Sequence, residues 1–131
     1  SSSEDIALTT STGLDAILPP PADDGKREVS STGSITAKDN IAEVFNISYD
    51  LGSSYTYTIT NFDIDKDKLN FGDNITSAYI NIINTADDGA VTLNYTPDAG
   101  TTQINIIIGG LSSSEDIALT TSTGLDAILK N

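Results

Sequence analysis

The chain has 131 residues and a net charge of −13, from 6 basic against 19 acidic residues. That fits one domain plus a short appendage and repels the phosphates of nucleic acids and anionic membranes. With no Cys and no His, disulfides, thiolate chemistry, the commonest general base and the commonest zinc ligand are all excluded. No apolar run approaches the ~20 residues that span a bilayer, so membrane insertion is not expected. Ser, Thr and Asn supply 42 residues. This polar, Lys-poor, cysteine-free composition is common among secreted proteins of the bacterial cell surface, which is where the chain is expected to act.

The chain opens on SSSEDIALTTSTGLDAIL (residues 1–18), and the same 18 residues recur at 112–129 without a single difference. The offset of 111 residues reads either as a tandem unit or as a duplicated terminal element. If the domain has one docking site for this segment, its two copies compete for it, and a copy that docks on a neighbouring molecule leads to assembly of the chain with copies of itself. Pro19-Pro20-Pro21 and the polar run to Arg27 read as a stiff linker, residues 19–27.

Strand signatures follow. Residues 42–49 alternate Val44 against Phe45, Ile47 and Tyr49, and residues 54–62 place Tyr55, Tyr57 and Ile59 at period two with Thr between them. Residues 78–83, 90–96 and 103–108 continue the pattern, separated by turn residues at 50–52, 71–74, 87–89 and 97–100. The last two turns are spaced for a β-meander. The run Ile104–Ile108 predicts a strand buried on both faces or covered by the terminal segment. Gly109-Gly110 lets the chain turn away. Within 112–129, Ser113 to Asp116 looks like a capped helix start, and Leu125–Leu129 like a helical turn, while Asp116–Thr121 fits a strand equally well. Gly124 is expected to break the segment.

The predicted fold is all-β: an antiparallel β-sandwich or meander-type sheet, with a short helical turn at the terminal repeated segment. The predicted layout is the duplicated segment 1–18, the linker 19–27, and a β domain 28–131 that includes the second copy.

Asp63-Ile64-Asp65-Lys66-Asp67-Lys68 places carboxylates at alternate positions of a short loop, with Asn61 before it and Asp73 after. Calcium takes six to eight oxygens, which such a loop can supply. Lys68 and Asn74 stand where an EF-hand needs Gly and Glu, so the candidates Asp63, Asp65 and Asp67 belong either to a calcium loop of another kind or to a solvated turn paired with Lys66 and Lys68. No catalytic residues are assigned. Carboxylates are abundant, but Trp is absent, aromatics are 6%, no Asp-Thr/Ser-Gly triplet occurs, and Ser and Thr have no His partner. An enzyme is not expected, and a surface glycan or protein ligand is left unspecified.

Tyr57–Gly72 (YTITNFDIDKDKLNFG), Asp87–Tyr95 (DDGAVTLNY) and Gly100–Leu111 (GTTQINIIIGGL), in that order, resemble the C-terminal region of RTX (repeats-in-toxin) proteins and of large adhesins exported by type I secretion. The resemblance covers about residues 55–129. It implies a β-rich extracellular domain, calcium-assisted folding after export, and an uncleaved C-terminal secretion signal. The chain lacks the G-G-x-G-x-D nonapeptide, has Asn61 where that pattern has Asp, and duplicates its terminal segment, so ligand carry-over stops at Asp63, Asp65 and Asp67. The function expected is therefore a non-catalytic, calcium-stabilised extracellular domain of an adhesin-like or type I-secreted protein, with divalent cations and copies of itself as partners. The alternative is a fibre or filament subunit whose duplicated segment completes a neighbour's sheet by strand addition.

Overall fold

A computed structural model describes residues 25–84, 86–98 and 101–130. The first copy of the repeat and the Pro-rich stretch, for which docking and linker roles were expected, lie outside the described residues. Eight strands are described: β1 (Lys26–Val29), β2 (Gly33–Thr36), β3 (Val44–Ile47), β4 (Tyr55–Thr60), β5 (Lys68–Asn70), β6 (Ile80–Asn84), β7 (Val91–Tyr95) and β8 (Ile104–Ile108). A 3₁₀ turn at Ser77–Tyr79 leads into β6, and two helices close the chain, α1 (Ser113–Leu119) and α2 (Ser122–Ile128). The molecule is mostly β with a helical carboxyl end. β1 takes in Lys26 and Arg27, two residues that composition alone assigned to the linker.

The strands form two sheets, in the orders β1-β3-β5 and β2-β4-β8-β7-β6. Four pairings are parallel: β1 with β3, β3 with β5, β2 with β4, and β4 with β8. An entirely antiparallel fold is thus corrected. The predicted meander survives as β6-β7-β8, paired antiparallel in chain order. The physical reason lies in the connections. Only residues 30–32 separate β1 from β2, yet the two strands enter different sheets, so the chain winds instead of forming a hairpin. It then returns beside its own start: Lys26 lies opposite Val44, and Val44 opposite Lys68. Strands laid down by successive coils run in the same direction, and no hairpin turn links them.

Each coil points one face inward. Phe45 and Leu69 stack at one register level and are fully buried; Val29 and Ile47 stack at the next. On the opposite face, Asn46 Nδ2 donates to Glu28 Oε1 at 3.3 Å and Asn70 Nδ2 donates to Asn46 Oδ1 at 2.9 Å. Asn70 Oδ1 in turn accepts from the Gly72 amide at 3.1 Å. This side-chain ladder runs across the coils on the face away from the core.

Both sheets feed one core. Val91, Leu93, Ile104, Ile106 and Ile108 are fully buried, each worth about 1.5–3 kcal/mol of apolar transfer. Phe71 meets Tyr95 edge-on with ring centroids 5.4 Å apart, and Tyr55 Oη reaches the carbonyls of Val29 and Ser48, so aromatic side chains join the two sheets. In β8, Asn105 and Ile107 are only half-buried, so that strand hides one face completely rather than two.

The second copy of the repeat is helical throughout its core, which settles the helix-or-strand ambiguity. Ser112 caps α1 in a capping box: its Oγ accepts from the Glu115 amide and the Glu115 side chain accepts from the Ser112 amide. The break falls at Thr120-Thr121, not at Gly124. Gly124 lies inside α2, where a Cβ would stand 2.0 Å from the Ala118 carbonyl oxygen, so its lack of a side chain lets the two helices meet closely.

Candidate functional site

The acidic loop between β4 and β5 was the sequence's main candidate, and its three carboxylates do three different things. Asp67 is fully buried. Its Oδ1 accepts from the Glu43 amide at 3.0 Å and its Oδ2 from the Asp63 amide at 2.9 Å, so both oxygens are committed to backbone. Asp63 Oδ1 accepts from the Asp65 amide at 2.9 Å, and the Asp63 carbonyl accepts from the Lys66 and Asp67 amides, which together make a tight turn. Asp65 is exposed. Among the described residues, no group of three or more His, Cys, Asp or Glu side chains is arranged to hold a metal ion. Asp67 fits the role of a backbone clamp, Asp63 turns the loop through its Oδ1 and carbonyl, and Asp65 is left as its exposed carboxylate.

Sequence reasoning passed over Glu43. It is fully buried one coil below Asp67, since Val44 and Lys68, the residues that follow them, are register partners. The Glu43 carboxylate accepts from the Lys38 amide and from Arg27 Nε, which also makes an ion pair. Arg27, Glu43, Asp67 and Asp63 therefore form one chain of polar contacts across three coils. Burial pushes the Asp67 carboxyl above the ordinary carboxylate value; the amides of Asp63 and Glu43 oppose that rise, and the nearby charges of Glu43 and Asp63 add to it. A raised pKa in the folded state means that this group stabilises the fold most at acid pH and loses that contribution as pH rises through its folded value. The only sequence signal for Glu43 was an acid set directly before an alternating strand.

A polar cleft of about 460 Å³ opens beside the loop, lined by Lys38, Asp39, Asn40, Asn61, Phe62, Asp63, Lys66, Gly110 and Glu115. Asn61, in the left-handed region at φ 59°, crosses it by donating to Asp39 Oδ1 and the Ala37 carbonyl, both at 2.8 Å. The aromatic ring here, Phe62, is 3% exposed and packs on Phe45, so it offers no open face on which a sugar ring would stack. The cleft's lining is of mixed charge: Asp39, Asp63 and Glu115 against Lys38 and Lys66.

Away from the loop, Asp98 and Thr102 are joined side chain to side chain and side chain to backbone. Asp98 accepts from the Thr102 hydroxyl and amide, and those bonds hold its carboxyl below the ordinary value. Thr102 Oγ1 also receives the Gly52 amide at 2.7 Å, joining two turns 50 residues apart.

The second copy of the repeated segment is anchored to the rest of the domain by several side chains. Leu119, Leu125, Ile128 and Leu129 are at most 6% exposed. Asp116, fully buried, accepts through Oδ2 from the amides of Gly89 at 2.7 Å and Asp88 at 3.2 Å, while its Oδ1 has no hydrogen-bond partner among the described residues. Ser113 Oγ donates to Asp87 Oδ2, and Asp126 Oδ1 accepts from the Ser77 amide. Lys68 Nζ donates to the Ala127 carbonyl. Leu129 then pairs with Leu69 in parallel, and the Lys130 amide donates to the Leu69 carbonyl at 2.8 Å. Only this last step is strand-like, so the second copy is a pair of helices and not a strand ready for addition to a sheet.

Among the described residues no helix is long and apolar enough to cross a membrane. Comparison with family models, with curated proteins and with solved structures returned no match for this chain.

Proposed function

We propose that this chain is a non-catalytic extracellular domain of an adhesin-like or type I-secreted protein, a structural module strengthened by divalent cations. The observation that carries the reading is the fate of its carboxylates: Glu43, Asp67, Asp98 and Asp116 all spend oxygens on backbone amides inside the fold. Acids used this way hold coils and turns together and are not presented to a substrate. Two sheets on one core, which we read as sandwich-like, and an outward Asn ladder suit a polar spacer unit of the kind surface proteins carry. The order of motifs in residues 55–129 adds the type I-secreted resemblance.

Calcium enters this reading through Asp63 and Asp65, with Asp39 and Glu115 across the cleft, as relief of crowded negative charge on a chain of net −13. The test is thermal unfolding in millimolar calcium against sodium chloride of matched ionic strength. A calcium-specific rise in Tm that is lost in Asp63→Asn with Asp65→Asn is the expected result. Equal curves in the two salts remove the cation from the proposal. Asp67 is left intact in this test, because its replacement breaks the coil whether or not metal binds. Hydrolytic turnover on any glycan would overturn the non-catalytic reading.

A further inference from the structure

We infer that the site holding residues 112–129 is an exchangeable socket, and that its second occupant is residues 1–18 of another copy of this chain. Every contact that the second copy makes from within its 18 residues has a chemically identical counterpart in the first: Leu8, Leu14, Ile17 and Leu18 for the buried Leu119, Leu125, Ile128 and Leu129, Asp5 for Asp116, and Asp15 for Asp126. Gly13 stands where Gly124 admits the Ala118 carbonyl, so the close helix crossing is available to both. A socket that recognises this sequence in one copy recognises it in the other.

The second copy fills its own molecule's socket, so the incoming first copy is assigned to a neighbouring molecule. In the described three-stranded sheet, β1 is at one edge and β5 at the other, and the socket lies at the β5 edge, where Leu129 pairs with Leu69. The first copy joins the domain through β1. β1 stands at the edge opposite the socket, and a first copy seated at the next molecule's β5 edge gives a head-to-tail, heterologous contact that need not close.

One difference ranks the two occupants. Lys130 donates its amide to the Leu69 carbonyl, and the matching position after the first copy is Pro19, which has no amide hydrogen. The first copy thus lacks a hydrogen bond that the second makes. The second is also tethered to β8 by Gly109-Gly110-Leu111, which gives it an effective concentration on the order of millimolar. The intact chain is then a monomer at micromolar concentration, and exchange appears when its own segment is weakened or the incoming one improved.

The experiment uses full-length chains, with mass by light scattering and Tm by calorimetry across a hundredfold range of protein concentration. Leu125→Ala with Ile128→Ala weakens the second copy. The expected result is a folded species of at least twice the chain mass whose Tm rises with concentration. Adding Leu14→Ala and Ile17→Ala to the same chain should abolish both the assembly and the concentration dependence. Pro19→Lys, which restores the amide, should raise the assembled fraction several-fold without touching the second copy. If the chain weakened in its second copy stays monomeric, whether as unstable as the fourfold variant or stabilised independently of concentration, exchange between molecules is refuted. Assembly that persists in the fourfold variant refutes the socket as its cause.

Discussion

The wound region, β1 to β5, and the returning region, β6 to β8 with its two helices, bury their apolar residues by different means. The returning region uses antiparallel strands of five residues each, with Val91, Leu93, Ile104, Ile106 and Ile108 fully hidden. The wound region has strands as short as three residues and supplements them with buried polar clamps, Glu43 and Asp67, and with the Asn46–Asn70 ladder. The lesson is that short parallel coils, which lack hairpin turns to fix register, take their register from side-chain-to-backbone bonds. Long alternating strands take it from packing.

That contrast is most severely tested at the seam. Ile106 pairs with Tyr57 of the wound region and Leu93 of the returning one, so Ile106→Ala should cost about 4 kcal/mol and melt both regions together in denaturant unfolding. Two separate transitions would show that the regions are energetically independent. Glu43→Ala comes next. It leaves Arg27 and the Lys38 amide without their carboxylate and should cost about 3 kcal/mol, with hydrogen exchange rising in β1 and β3 before β7. Uniform exchange across both regions would remove the distinction drawn here.

Alkaline titration probes one tyrosine from each region. Burial pushes both Tyr55 and Tyr95 up to about 12, against an ordinary value of 10.0. The unfolded chain ionises first, so stability conferred by these two rings is intact below pH 10 and is lost between about 10 and 12, at up to about 2 kcal/mol for each ring. Tyrosinate absorbance should show two rings titrating only with unfolding; Tyr55→Phe and Tyr95→Phe assign them. A smaller effect is expected at the helical end. Ser112→Ala removes the cap of α1 and should cost about 1 kcal/mol in equilibrium unfolding. Asn46→Ala is the mildest, about 0.5 kcal/mol, because the ladder is partly solvated; a cost above 2 kcal/mol would make it a principal support of the wound region.

The elements legible beforehand were those with period-two alternation. The stretches 42–49, 54–62, 78–83, 90–96 and 103–108 contain β3, β4, β7 and β8 whole and most of β6, and the meander turns stand where Asp87–Gly89 and Pro97 suggested. β1 (KREV), β2 (GSIT) and β5 (KLN) escaped because four or three residues with a single apolar side chain carry no period. Of the loop carboxylates, Asp63, Asp65 and Asp67 were visible as a cluster, but their separate roles were not. Glu43 was missed because nothing local distinguishes a buried acid from a solvated one.

The amino-acid sequence by itself determined composition, charge and the 18-residue duplication, and also the alternating strands and the capped helix start at Ser112, which depend on neighbours within a few positions. Tertiary structure alone decided that coils stack in parallel, that Asp67 clamps the Glu43 amide, and that Asp116 enters the Asp88–Gly89 turn. Those outcomes join residues about 20 to 30 positions apart, where the favourable contact exists only after the backbone has closed the loop between them.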